Sequence, residues 1–112
     1  MKVVVAIIKP FKLAEVHDAL HTIGITGSTV CEAKGHGHQK GLSELYRSVE
    51  YVAHHLSKLR VELITTDDRV DQIVALISDA VRTGQAGDGK IYVQPVENVV
   101  RIRTGDVGEL AL

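Results

Sequence analysis

The chain has 112 residues, 13 basic and 14 acidic, with a formal charge of −1, which suits one domain and gives no bulk attraction to nucleic acid or an anionic membrane. A domain of this size buries roughly 65% of the surface its unfolded chain exposes, so its private core is small. One cysteine excludes an internal disulfide framework, Met1 leads straight into a strand-like segment, and no apolar run nears the roughly 20 residues that span a bilayer; the expectation is a reduced, cytoplasmic protein that meets a membrane only through a partner.

The first segment, Lys2 to Lys9, is rich in β-branched residues and stops at Pro10, which predicts a strand. Leu13, Val16, Ala19, Leu20 and Ile23 then form a helical stripe closed by Gly24, predicting a helix over about 12–23. Thr29 to Ala33 reads as extended, with Cys31 as a small strand side chain. From Gly35 to about His55 neither period is sustained, so the segment reads as a long loop. Leu59 to Thr65 alternates like a strand, and Asp67 or Asp68 is placed to cap a helix carrying Val70, Ile73, Val74, Ile77 and Val81 and ending at Gly84. A glycine-rich turn over 84–89 leads to a strand over 90–96, and Val99 to Ile102 prolongs the extended character.

The order β-α-β, loop, β-α-β predicts an α+β, ferredoxin-like βαββαβ sandwich: an antiparallel four-stranded sheet, both helices on one face, and a long projecting loop between strands 2 and 3. Val3, Val5 and Ile7 form one apolar set on the first strand and Val4, Ala6 and Ile8 another, yet helices cover only one face. The second face calls for another chain, so a homo-oligomer is expected. A structureless loop of about 20 residues exceeds what folding needs and is the first place to seek partner recognition.

Gly84 to Lys90 has the spacing of a phosphate-binding P-loop, but Ile91 stands where Ser or Thr would hold magnesium, and the segment runs from helix to strand rather than strand to helix. An NTPase P-loop is rejected. A concave glycine turn beside Lys90 still suits phosphates through its backbone N–H groups. Arg101 and Arg103 put two guanidiniums on one face of an extended segment, and with Lys90 and Lys40 they form a candidate polyphosphate site. His36 and His38 offer two ligands where structural zinc takes four. His17 and His21 read as solvent-facing helix residues, His54 and His55 as surface residues, and Tyr46 and Tyr51 as exposed. No nucleophile–base or paired-carboxylate arrangement stands out, so no enzyme is expected.

The stretches "IIKPFKL" (7–13), "KGHGHQKG" (34–41), "ELYRSVEY" (44–51), "GDGKIYV" (87–93) and "RIRTG" (101–105) together resemble, in order and spacing, the nitrogen-regulatory PII signal-transduction proteins of the proteobacterial type. The resemblance implies one PII-like domain over 1–112, with a T-loop at about 37–55, a Gly-rich nucleotide loop at 84–90 and a C-terminal loop at 102–112. It implies a homotrimer with ATP or ADP competing for the clefts between subunits. Thr29, Glu62 and Ile64 would surround the base or ribose, Gly35, Gly37 and His38 would join the nucleotide site, and Gly87, Asp88, Gly89 and Lys90 would hold phosphates, with Arg101 and Arg103 arriving from the neighbouring subunit.

In this family 2-oxoglutarate binds beside Mg-ATP. The resemblance assigns Gln39 as the protein ligand of Mg2+, Lys58 and Lys40 to the 2-oxoglutarate site, and Tyr51 as a candidate for uridylylation. The cyanobacterial modification site, a serine two positions earlier, is replaced here by Val49. Regulated partners would be an ammonium channel, a nucleotidyltransferase or nitrogen-pathway regulators. Two positions depart from the pattern: His36 stands where relatives carry an aromatic residue and His38 where they carry arginine. An imidazole, ordinarily titrating near pH 6.5, replaces a permanent charge at His38, so ATP should bind less tightly than in relatives and improve as pH falls. A divergent sensor of another metabolite, such as bicarbonate with ADP or AMP, is the alternative reading.

Overall fold

The computed structural model describes residues 1–36 and 56–112. Strand β1 (Lys2–Ile8) is followed by a 3₁₀ turn (Pro10–Lys12), helix α1 (Leu13–His21) and strand β2 (Thr29–Gly35). Strand β3 (Leu56–Thr65), a 3₁₀ turn (Asp67–Arg69), helix α2 (Val70–Val81), strand β4 (Gly89–Pro95) and a C-terminal 3₁₀ turn (Gly108–Ala111) complete the chain. The strand order is β2-β3-β1-β4, and every neighbouring pair is antiparallel. The α+β, ferredoxin-like fold read from the sequence is therefore the fold observed.

Directly opposed residues on neighbouring strands share a face. Val4, Ala6 and Ile8 of β1 lie opposite Leu63, Val61 and Leu59 of β3, and this face meets Val16 and Leu20 of α1 and Ile73, Ile77 and Val81 of α2. Val4, Ala6, Ile8, Val16 and Ile73 are at most 1% exposed, and each large aliphatic side chain so placed contributes about 1.5–3 kcal/mol through burial.

The other face carries Val3, Val5 and Ile7, opposite Ile64, Glu62 and Arg60 on β3 and Gln94, Tyr92 and Lys90 on β4. Val5 is fully buried even within one chain, while Ile64 remains 41% exposed. This face is thus an apolar centre bordered by Arg60, Glu62 and Lys90, with no helix among the described residues over it.

Several boundaries differ from the sequence reading. Helix α1 stops at His21, and residues 22–25 close it in turns, with the Gly24 N–H donating to His21 O and the Ile25 N–H to Leu20 O, both at 3.0 Å. Helix α2 stops at Val81 because Arg82 is extended (ψ 124°) and the N–H groups of Thr83 and Gly84 are taken by the Asp88 carboxylate, each at 2.9 Å. Neither Asp67 nor Asp68 caps α2, which has no side-chain cap. Asp67 instead accepts the Met1 ammonium at 2.9 Å and Lys2 Nζ at 3.1 Å, which holds its carboxyl below the usual range. Residues 99–102 do not prolong the sheet. Val100 forms a single antiparallel bridge with Val107, with a turn at 102–104 between them.

Candidate functional site

The glycine turn before β4 is built around Asp88. One carboxylate oxygen accepts the N–H groups of Thr83 and Gly84. The other accepts the Thr83 hydroxyl and, at 3.1 Å, the ammonium of Lys9, the residue following β1. These donors, the Thr83 hydroxyl foremost, hold the Asp88 carboxyl well below the usual carboxylate range. Next to it Gly89 has φ +106°, and a Cβ there would lie 1.7 Å from the carbonyl oxygen of Ile7. Only glycine lets β4 approach β1 at this point.

A cavity of about 510 Å³ opens between this turn and the adjoining ends of β2 and β3. Gly35 and His36 form one wall, Leu56 and Lys58 another, Gln85 and Gly87 to Lys90 a third, and Ile7 reaches it from β1. Lys58 crosses the gap, its ammonium donating to the Gly87 carbonyl at 2.6 Å. Its stem runs over Gly35, where a Cβ would come within 3.1 Å of Lys58 Cγ. Partial burial, and then the nearby positive charge of Lys9, lower the Lys58 pKa, with Asp88 opposing the shift.

Of the residues singled out from the sequence, Gly35, Lys58, Gly87, Asp88, Gly89 and Lys90 meet at this cavity. Thr29 and Glu62 lie opposite each other on the helix-free face of the sheet, with Ile64 two residues further along β3. Glu62 is there paired with Arg60 at 3.1 Å. These three do not line the cavity within one chain. Nor do Arg101 and Arg103. Arg101 donates to the carbonyl of Leu112 at 2.7 Å, and Arg103 is exposed in the 102–104 turn, so the two guanidiniums are not borne by an extended segment. Gly37, His38, Gln39, Lys40 and Tyr51 lie outside the described residues, as do Tyr46, His54 and His55.

Ile7, Leu56 and the Lys9 strut were missed by sequence reasoning, and Gln85 entered it only as part of the glycine-rich loop at 84–90. Ile7 was recoverable only through register, because β1–β4 pairing sets it opposite Lys90. His17 and His21 border a small separate cavity, with His17 Nε2 lying 3.4 Å from the Ser28 hydroxyl. No group of three or more metal-ligating side chains occurs among the described residues. Among the described residues of the main cavity, the one carboxylate is already engaged by its own turn and Lys9, while Lys90 and the ammonium of Lys58 supply positive charge beside backbone N–H groups. Such a wall suits an anion with several oxygens.

The family model described as Nitrogen regulatory protein P-II matches residues 1–106. The chain belongs to this family. Among its P-II relatives, it is 56% identical over 108 residues to the Nitrogen regulatory protein P-II of Azospirillum brasilense, covering 96% of each chain. It is 50% identical over 112 residues to the Nitrogen regulatory protein GlnK of Escherichia coli strain K12, covering 100% of each. The solved structure of Arabidopsis thaliana PII bound to citrate superposes with a TM-score of 0.80 at 35% identity, over 99% of this chain and 91% of that one. The resemblance carried by the five sequence stretches is thus upheld, and these relatives are named as regulators rather than enzymes. No described helix is long and apolar enough to cross a membrane.

Proposed function

We propose that this P-II protein is a trimeric sensor of carbon and nitrogen status, binding ATP or ADP and, with Mg-ATP, 2-oxoglutarate, and regulating partner proteins through the T-loop at 37–55. The observation that carries the reading is the cavity in which the Gly87–Lys90 turn, Lys58 and the end of β2 meet. It borders the point where the chain enters the T-loop, so occupancy there can be converted into a loop conformation that partners read.

In this reading the turn N–H groups and Lys90 receive phosphates. Thr29, Glu62 and Ile64 sit on the helix-free face, where a neighbouring subunit would complete a cleft over base and ribose, and the exposed Arg103, with Arg101, would reach a neighbour's phosphates. Gly37 and His38 complete the nucleotide site. Magnesium prefers oxygen ligands, which suits the Gln39 amide oxygen together with phosphate and keto-acid oxygens. Gln39 would hold the ion, which would supply charge neutralisation for the phosphates and the keto acid. Lys58 and Lys40 meet the carboxylates, and the citrate bound by the Arabidopsis protein supports small-molecule sensing in general. Tyr51 is the candidate uridylylation site, and an ammonium channel, a nucleotidyltransferase or nitrogen-pathway regulators are the candidate partners.

Calorimetry combined with light scattering tests the assembly and the nucleotide together. The expected result is one ATP or ADP per chain of a trimer; a monomer that takes up neither contradicts the proposal. His36 in the cavity wall favours a second reading, a divergent sensor of bicarbonate with ADP or AMP. Bicarbonate binding to the ADP-loaded protein, without any response to 2-oxoglutarate, would select it.

A further inference from the structure

We propose that Lys9 is a positioning residue for nucleotide binding, acting on the phosphate-binding turn through Asp88 without contacting the ligand. The inference rests on the reading of that turn as a phosphate cradle. Lys9 follows β1 directly and precedes Pro10, whose ring favours an extended backbone in the residue before it; Lys9 has φ −66° and ψ 137°. Its side chain is 17% exposed, and its ammonium donates to Asp88 Oδ1 at 3.1 Å and to the Thr83 hydroxyl at 3.3 Å.

Asp88 in turn binds the N–H groups of Thr83 and Gly84. A single carboxylate therefore ties the two ends of the turn to each other, and Lys9 ties that carboxylate to the sheet. Gly84 and Gly87 both have positive φ, and glycine backbone of this kind is free to move unless it is anchored. Within the turn the Thr83 hydroxyl accepts the Gln85 N–H at 3.2 Å; from outside it, the other side-chain anchor among the described residues is Lys58, through the Gly87 carbonyl. A carboxylate ligand that engages Lys58 competes for that anchor, which leaves the Lys9–Asp88 pair to hold the N–H groups in place. Lys9 itself is not part of the cavity wall. A cradle held in its binding geometry avoids the entropy of ordering it around the ligand.

The test uses the full-length protein in its native assembly. Amide hydrogen exchange at Thr83 and Gly84 is followed without ligand, and ADP affinity is measured by calorimetry. Lys9→Met should speed exchange at these two amides and weaken ADP by about tenfold each, the scale of one charge-assisted hydrogen bond, while amides in β1 and β3 keep their protection. Lys9→Arg should recover most of both effects, and Lys9→Gln serves if the Met variant does not fold. In an Asp88→Asn background Lys9→Met should cost less than about twofold in affinity, because the partner through which it acts is gone.

Unchanged exchange at Thr83 and Gly84 in Lys9→Met would overturn the proposal. So would a full tenfold loss of affinity in the Asp88→Asn background, which would mean that Lys9 attracts the ligand directly. A wild-type protein that binds no nucleotide refutes the nucleotide reading instead, and the exchange measurement still decides whether Lys9 holds the turn.

Discussion

Replacing Gly89 by alanine should separate the two edges that make the site. The added Cβ would stand 1.7 Å from the carbonyl oxygen and 2.9 Å from the carbonyl carbon of Ile7, and the backbone there is at φ +106°. These neighbours are main chain of a central strand, so no side-chain rotation relieves the contact. The unfavourable φ alone costs about 1–3 kcal/mol. Moving β4 away from β1 weakens pairing at Ile8↔Gly89 and Ile7↔Lys90, at about 1 kcal/mol for each hydrogen bond. Together these predict a loss of about 3–5 kcal/mol, a large share of the roughly 5–15 kcal/mol that stabilises a typical domain. Urea unfolding at matched protein concentration, with wild-type and variant m-values compared, reads the difference. Gly84→Ala is the control: its φ is +82° but no atom lies within 4 Å of the added Cβ, so its cost should stay near the strain alone. A Gly89→Ala variant destabilised by less than about 1 kcal/mol would refute the close approach of β4 to Ile7.

Gly35→Ala should disturb the effector site more than the fold. The new methyl crowds the flexible stem of Lys58, at 3.1 Å, and makes ordinary contact with the Leu56 carbonyl oxygen at 3.8 Å, so stability should change by less than about 1 kcal/mol while calorimetry shows carboxylate binding weakened several-fold. Lys58→Met should abolish 2-oxoglutarate binding and leave Mg-ATP binding in place; retention of 2-oxoglutarate binding would remove Lys58 from the site. The Asp88 carboxyl is depressed in the folded state, so its contribution to stability is fully present above its unfolded pKa of about 3.9 and is lost as pH falls below that value. Asp88→Asn should therefore be destabilising in urea unfolding at pH 6, with the gap to wild type narrowing below about pH 4; a gap that widens on acidification would contradict the sign.

The fold was legible because its signals are local. The stripe of Val16 and Leu20 and that of Ile73, Ile77 and Val81 announce two helices that bury one face each, and all five side chains are buried as those periods require. The two apolar sets of β1 were legible as well, since alternate residues face opposite sides of a sheet. What sequence could not supply was the meeting of distant groups. Lys9 and Asp88 are 79 positions apart, and Lys58 reaches the Gly87 carbonyl only because β1 pairs with both β3 and β4, which sets Leu59 and Gly89 opposite Ile8 on its two sides. Asp67 looked like a helix cap, but an ammonium and a lysine brought close by β1 outcompete backbone N–H groups for its carboxylate. The β-branched run at 99–102 looked extended because β-propensity records fit to a sheet surface. Gly105 at φ +76° and the Thr104 hydroxyl donating to Asp106 fold that run back into a turn.

The central claim, that nucleotide and effector occupy one continuous site around Lys58 and the Gly87–Lys90 turn, is tested most directly by titrating 2-oxoglutarate into the protein with and without saturating Mg-ATP. The account predicts binding that is strong with Mg-ATP and weak or undetectable without it, with the same coupling factor returned when ATP is titrated into the 2-oxoglutarate-loaded protein. Equal affinity for 2-oxoglutarate in the presence and absence of Mg-ATP would contradict it.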